Sequence, residues 1–208
     1  MNEMKRVAVV FAAVAVLSGL GSCALTPPEK VPDGKTASEY YDLGVAYKAA
    51  GWTEQSRDAL NRAITLDHGH DVGIKAKRFL ETKLPHDPAS AEAVQMNIKG
   101  FNTQALDKQE AEKIWLECIN KYPRFEWPYS NLGSLYVEEG KYKEGEDFLK
   151  KALEINPSYV NAWLHLAQCK SKQKDFQGAR SCIRKALELD PDDEAAKLMN
   201  MTVDLSAK

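Results

Sequence analysis

Four histidines and four cysteines are the residues of this 208-residue chain best suited to metal or nucleophile chemistry. His68 and His70 flank Gly69, with Asp67 and Asp71 beside them, and such a run offers nitrogen and carboxylate ligands to a divalent cation. The spacing is not that of an H-E-x-x-H helix, and no cysteine pair stands near it, so the run reads as a polar loop. His86 falls in a turn and His165 on a helix, where solvation or a local hydrogen bond is expected. No G-x-S-x-G, Walker loop or G-x-G-x-x-G occurs. The chain is therefore not expected to be an enzyme, nor to hold a metal or a cofactor. Cys118 lies on an apolar helical face and is expected to pack there. Cys169 and Cys182 lie on adjacent expected helices. A bridge and two free thiols both remain open, because spacing does not set their Cα separation.

The fourth cysteine stands in a different context. Lys5 and Arg6 precede an uninterrupted apolar run, Val7–Leu17. A membrane-spanning helix needs roughly 20 such residues, so this shorter run has the length of a signal-peptide core instead. Leu20-Gly21-Ser22-Cys23 follows, and it resembles a bacterial lipobox. That resemblance implies a signal peptide over 1–22 and acylation of Cys23 by palmitate or a similar chain. Several acyl chains hold a protein stably on a bilayer where one does not. Ala24 resembles the residue of lipoproteins sorted to the outer membrane, so the periplasmic face of that membrane is expected, ahead of the inner membrane. Residues 23–36 carry three prolines and no apolar period, which reads as a tether with a reach on the order of 40 Å.

These groups must be positioned by a folded body. The chain has 28 basic and 30 acidic residues, so no basic footprint points to nucleic acid. Its apolar fraction of 44% is enough to build a core. Pro123, Pro157 and Pro191 are equally spaced, within "CINKYP", "ALEINP" and "ALELDP". Three helical trios precede them: Ala111/Trp115/Cys118, Gly145/Leu149/Ala152 and Ala179/Ile183/Ala186. Their offsets of four and three place each trio on one helical face. Upstream, "YYDLGVAYKAAG" and "YSNLGSLYVEEG" share an aromatic, Leu-Gly, Tyr and a closing Gly. "WLHLAQCKSKQK" keeps an aromatic, Leu and a small residue and loses the Tyr and the closing Gly.

This pattern resembles the tetratricopeptide repeat. The resemblance implies an all-α solenoid of antiparallel helix pairs, with repeats at 37–70, 92–125, 126–159 and 160–193. The second of these is degenerate. An insertion at 71–91 reads as an extra helix and a turn, with Asp87 capping the next helix. Residues 194–208 read as a capping helix, with a homodimer contact as the alternative. Lys75, Lys77, Arg78 and Lys83 crowd the inserted helix, either as a solvated face or as a patch for acidic partners or lipid head groups.

The resemblance also implies a groove lined by first-helix residues that the pattern leaves free. These are Tyr41, Val45 and Lys48, then Met96, then Trp127, Ser130, Ser134 and Val137, and last Asn161, Leu164, Gln168 and Lys172. Trp127 is either a partner anchor or a staple at its helix start. The Lys/Asn/Arg clamp of chaperone-binding repeats is absent at these positions. The expected ligand is a protein or peptide segment of mixed apolar and polar character. The expected role is an interaction scaffold in envelope assembly, similar to pilotins or outer-membrane assembly lipoproteins. A structural, self-associating or enzyme-recruiting adaptor for cell-wall machinery is the alternative.

Overall fold

The computed structural model describes residues 27–87 and 89–206. The expected signal peptide, Cys23, Ala24 and Pro88 lie outside the described residues. Ten helices and no strand are present among the described residues. They are α1 (Ala37–Ala49), α2 (Thr53–Leu66), α3 (Asp71–Lys83), α4 (Ala91–Gln104), α5 (Lys108–Lys121), α6 (Glu126–Glu138), α7 (Tyr142–Ile155), α8 (Val160–Lys172), α9 (Phe176–Leu189) and α10 (Glu194–Ser206). None of them is long and apolar enough to cross a membrane. The chain divides into two compact units, Met1–Lys77 and Arg78–Lys208, with the boundary inside α3.

Local chemistry sets the helix ends. Thr36 and Glu39 form a reciprocal capping box at α1, and Ser90, Asp107 and Asp175 accept backbone N–H bonds at the starts of α4, α5 and α9. The cap of α4 is thus Ser90, not Asp87, whose carboxylate pairs with Arg124 at 2.7 Å. Asp67 caps α3, accepting from the N–H of Val72 at 2.9 Å. The inserted helix stops at Lys83, where Leu84-Pro85 follows, since proline disfavours helix in the residue before it.

In the first unit, α1 packs on α2 through Tyr40, Gly44 and Tyr47 against Ala59, Leu60 and Ala63. The end of the expected tether is part of this packing. Val31 is buried, Gln55 donates to the carbonyl of Pro28 at 3.3 Å, and Arg62 pairs with Asp33. Residues 28–33, expected as part of a free tether, thus pack on the first helix pair.

In the second unit the pairs α4/α5, α6/α7 and α8/α9 follow one another and α10 closes the series. Each pair meets where a small residue lets the helices approach. A Cβ added at Gly133 would lie 2.7 Å from Leu149 Cγ and 2.9 Å from the Gly145 carbonyl oxygen. In α4/α5 the equivalent contact is Gly100 against the indole of Trp115, whereas a strict repeat period points to Lys99. The turns explain the shift. The α6–α7 turn places Gly140 at φ 79° and closes with a bond from Lys141 N–H to the Tyr136 carbonyl at 2.9 Å. The α8–α9 turn has the same geometry with Lys174 at φ 62° in the glycine's place. The α4–α5 turn has no left-handed residue, and Asp107 N–H bonds the Thr103 carbonyl at 2.9 Å. Both connections have three residues, but the closing hydrogen bond of this one reaches back four residues instead of five, and the register of α4 differs by one.

α10 stands as far beyond α8 as α8 stands beyond α6, and it occupies the place of a further first helix. It buries Ala196 and Val203 against α8 and α9 and leaves Leu198 and Met201 exposed.

Candidate functional site

In this fold the first helices of successive repeats line one face, which in the second unit is formed by α4, α6 and α8. The structure sorts the residues expected there. Val137 and Leu164 are core residues. Val137 packs in a cluster with Leu149, Leu166 and Ala167, and Leu164 with Val160, Ala186 and Ala196. Ser130 is fully buried. Trp127 is buried between Phe125 (ring centroids 5.5 Å) and Tyr159 (6.5 Å, near-parallel planes), the staple arrangement. Met96, Ser134 and Gln168 are half-buried, while Asn161 and Lys172 are exposed. In the first unit Tyr41, Val45 and Lys48 are half-buried along α1.

Polar groups link the first helices. Asn131 on α6 donates its amide N–H to Asn97 Oδ1 on α4 at 2.8 Å, and Asn97 is itself buried. At the other end of α6, the Glu138 carboxylate accepts from Lys108 Nζ at 3.2 Å and from Gln104 Nε2 at 3.4 Å. His165 on α8 sits near this carboxylate. Burial pushes its imidazole down to about 4, and Glu138 only partly opposes the shift.

A second constellation was not visible in the sequence. Glu126, the first residue of α6, is fully buried, and its Oε1 accepts from His86 N–H at 2.9 Å and from Asn156 Nδ2 at 2.7 Å. Burial raises its carboxyl above the ordinary range, and the bonds from Asn156 and His86 pull the other way. Asn156 also accepts from Ser158 N–H at 3.0 Å, and Asp190, its counterpart in the next repeat, does the same for Asp192 N–H at 3.3 Å. Asp190 meets Lys83 Nζ at 3.2 Å. Arg78 meets Asp192 at 2.6 Å, and Lys83 also pairs with Asp193. The basic cluster of the inserted helix is thus split, with Arg78 and Lys83 in ion pairs and Lys75 exposed. The one signal available in sequence was the polar residue before Pro157 and Pro191 at the repeat period.

His68 and His70 are exposed, and no group of three or more His, Cys, Asp or Glu side chains among the described residues could hold a metal. Cys118, Cys169 and Cys182 are buried free thiols, so the bridge left open between Cys169 and Cys182 is not formed. Burial lifts the Cys118 and Cys182 thiols to about 11, far from a reactive thiolate at neutral pH.

Paired helices with small residues at their crossings, repeated at a regular spacing from α6 to α10, are the arrangement of a tetratricopeptide-repeat fold. The tetratricopeptide-repeat family profiles match residues 136–201 and 40–69, so the chain carries these repeats. Among curated relatives, the type IV pilus assembly protein PilF of Pseudomonas aeruginosa is 24% identical over 192 residues, covering 84% of this chain and 76% of that one. Hsp70-Hsp90 organizing protein 1 of Glycine max is 28% identical over 148 residues, and General transcription factor 3C polypeptide 3 of Homo sapiens is 29% identical over 85. These alignments cover 68% and 41% of this chain. They span 26% of the soybean protein's length and 10% of the human one's. The solved first TPR of Spaghetti (RPAP3), bound to an HSP90 peptide, superposes with a TM-score of 0.52 at 20% identity, over 57% of this chain and 94% of that one.

Proposed function

We propose that this chain is a lipid-anchored repeat scaffold that binds a protein or peptide partner in assembly of a bacterial cell envelope, at the periplasmic face of the outer membrane. It acts by binding and not by catalysis. Two features support the reading. The lipobox-like run ending at Cys23 supplies the anchor. The alignment with PilF runs over most of both chains, which favours a pilotin-like role. The partner surface is the part of the α4/α6/α8 face that remains accessible: Met96, Ser134, Asn161, Gln168 and Lys172. The carrying observation is this mixed apolar and polar strip, set on a rigid stack of paired helices.

The anchor is tested by labelling cells with a palmitate analogue. The unmodified chain is expected to label and to sediment with outer membranes. Cys23→Ser is expected to lose both properties. Equal labelling of the two would remove the anchor from the account. The exposed Leu198 and Met201 on α10 favour a second reading, self-association, which concentration-dependent sedimentation would reveal as a dimer.

A further inference from the structure

The segment from Arg78 to Asp87 is fastened at both ends to loops between repeats of its own unit. At one end Arg78 and Lys83 pair with Asp190, Asp192 and Asp193 in the loop between α9 and α10. At the other, His86 N–H is held by Glu126, which Asn156 of the α7–α8 loop also binds, and Asp87 pairs with Arg124 of the α5–α6 loop. Between the two ends Thr82 and Leu84 are buried. One short run therefore contacts the α9–α10 loop and the α5–α6 junction directly, and meets the α7–α8 loop only through Glu126. The geometry is consistent: neighbouring helix layers lie about 10 Å apart. Six helical residues and three extended ones together span about 20 Å.

The run ends on a carboxylate that the fold leaves half satisfied. Glu126 Oε2 and Ser130 Oγ are buried and have no hydrogen-bond partner among the described residues. They are one helical turn apart, on the same face of α6 that holds His86. Buried polar atoms without partners are costly in a finished fold and recur where a group is kept for a further contact.

We propose that Arg78–Asp87 is a releasable strap. It braces the inter-repeat angles of the second unit while docked, and it frees the Glu126 carboxyl group when it lifts. Its outermost anchors, Arg78 with Asp192 and Asp87 with Arg124, are charge pairs with an exposed partner, so they are the first to yield, ahead of the less exposed Lys83 pairs and the buried Leu84. Proline at 85 and the helix end at Lys83 give the strap a natural bending point. This inference goes beyond the scaffold reading and does not require the partner to be known.

Hydrogen exchange read by mass spectrometry on the full chain tests it. Amides of residues 84–90 are expected to exchange at least about 100-fold faster than those of α7, reporting a local opening. Arg78→Asp is expected to speed their exchange about tenfold with α7 unchanged. The double variant Arg78→Asp with Asp192→Arg is expected to return it most of the way. If Arg78→Asp fails to fold, the unmodified chain is compared at low and high salt, about 0.05 and about 1 M, where severalfold faster exchange in 84–90 alone is expected from screening of the pairs. Exchange in 84–90 that tracks α7 in the unmodified chain at both salt concentrations overturns the strap. So does an Arg78→Asp chain that folds and exchanges there like the unmodified one.

Discussion

Glu126 and Val160 hold the same place in successive repeats, at the first position of α6 and of α8. Both are fully buried. One is a carboxylate that ties down His86 and Asn156, and the other is plain apolar packing. Ser130 and Leu164 repeat the contrast one turn later. The backbone at the two places is the same, because the glycine or alanine at each helix crossing and the proline after each pair dictate it. What differs is at positions the repeat leaves free, and those decide whether a helix start packs on the next repeat or receives a strap. The period determines the stack, and the off-pattern residues determine what the stack holds.

The sharpest way to break the α6/α8 comparison is at the crossing itself. Gly133 and Ala167 are equivalent, yet only the second site has room for a Cβ. Gly133→Ala is expected to cost about 1–3 kcal/mol, read from the urea midpoint, because Leu149 and the Gly145 carbonyl are too close to move freely. The reverse change, Ala167→Gly, is expected to cost about 1 kcal/mol, close to the helix-propensity difference alone. Equal costs would mean the two crossings are not distinguished by packing.

Next in size is a pH effect of His165 on α8. His165 has a folded value of about 4 against the ordinary 6.5, so the unfolded chain takes up the proton first. Its contribution is present above pH 6.5 and is lost as pH falls toward 4. Glu126, raised in the fold, works in the opposite sense, since acid relieves its buried charge. The stability difference between the unmodified chain and His165→Gln isolates the histidine. Between about pH 7.5 and about pH 5 that difference is expected to shift by about 1–2 kcal/mol against the unmodified chain. A difference that stays constant with pH would place the imidazole in water.

The smallest effect lies in the turns. Gly140 after α6 and Lys174 after α8 share a left-handed backbone, which a lysine adopts at a cost. Lys174→Gly is expected to raise stability by about 1 kcal/mol in thermal melts, and Gly140→Lys to lower it by a similar amount.

Much of this fold was legible in the sequence because its determinants are local and periodic. The trios ending at Cys118, Ala152 and Ala186, and the Leu-Gly pairs at 43–44 and 132–133, identify helices and their crossings without reference to anything distant. The register of α4 was hidden because the turn at Ala105–Asp107 closes early, on Thr103, and only the fit of Trp115 against Gly100 reveals the shift. Val137 and Leu164 read as groove residues, yet each packs both on its own paired helix (Leu149 and Gly145; Ala186) and on the next repeat (Leu166 and Ala167; Ala196), contacts that the pattern of first-helix positions does not record. The strap was invisible for a related reason. Lys83 and Asp193 are 110 residues apart, and no spacing rule pairs them.

The partner surface is the claim on which the functional account rests. It is tested most directly by placing a photo-crosslinking amino acid at Gln168, at Ser134 and, as a control on the opposite helix layer, at Lys151, then irradiating living cells. The account predicts a discrete envelope-protein adduct from positions 168 and 134 and none from 151. An adduct from 151 alone, or equal labelling at all three, would contradict it.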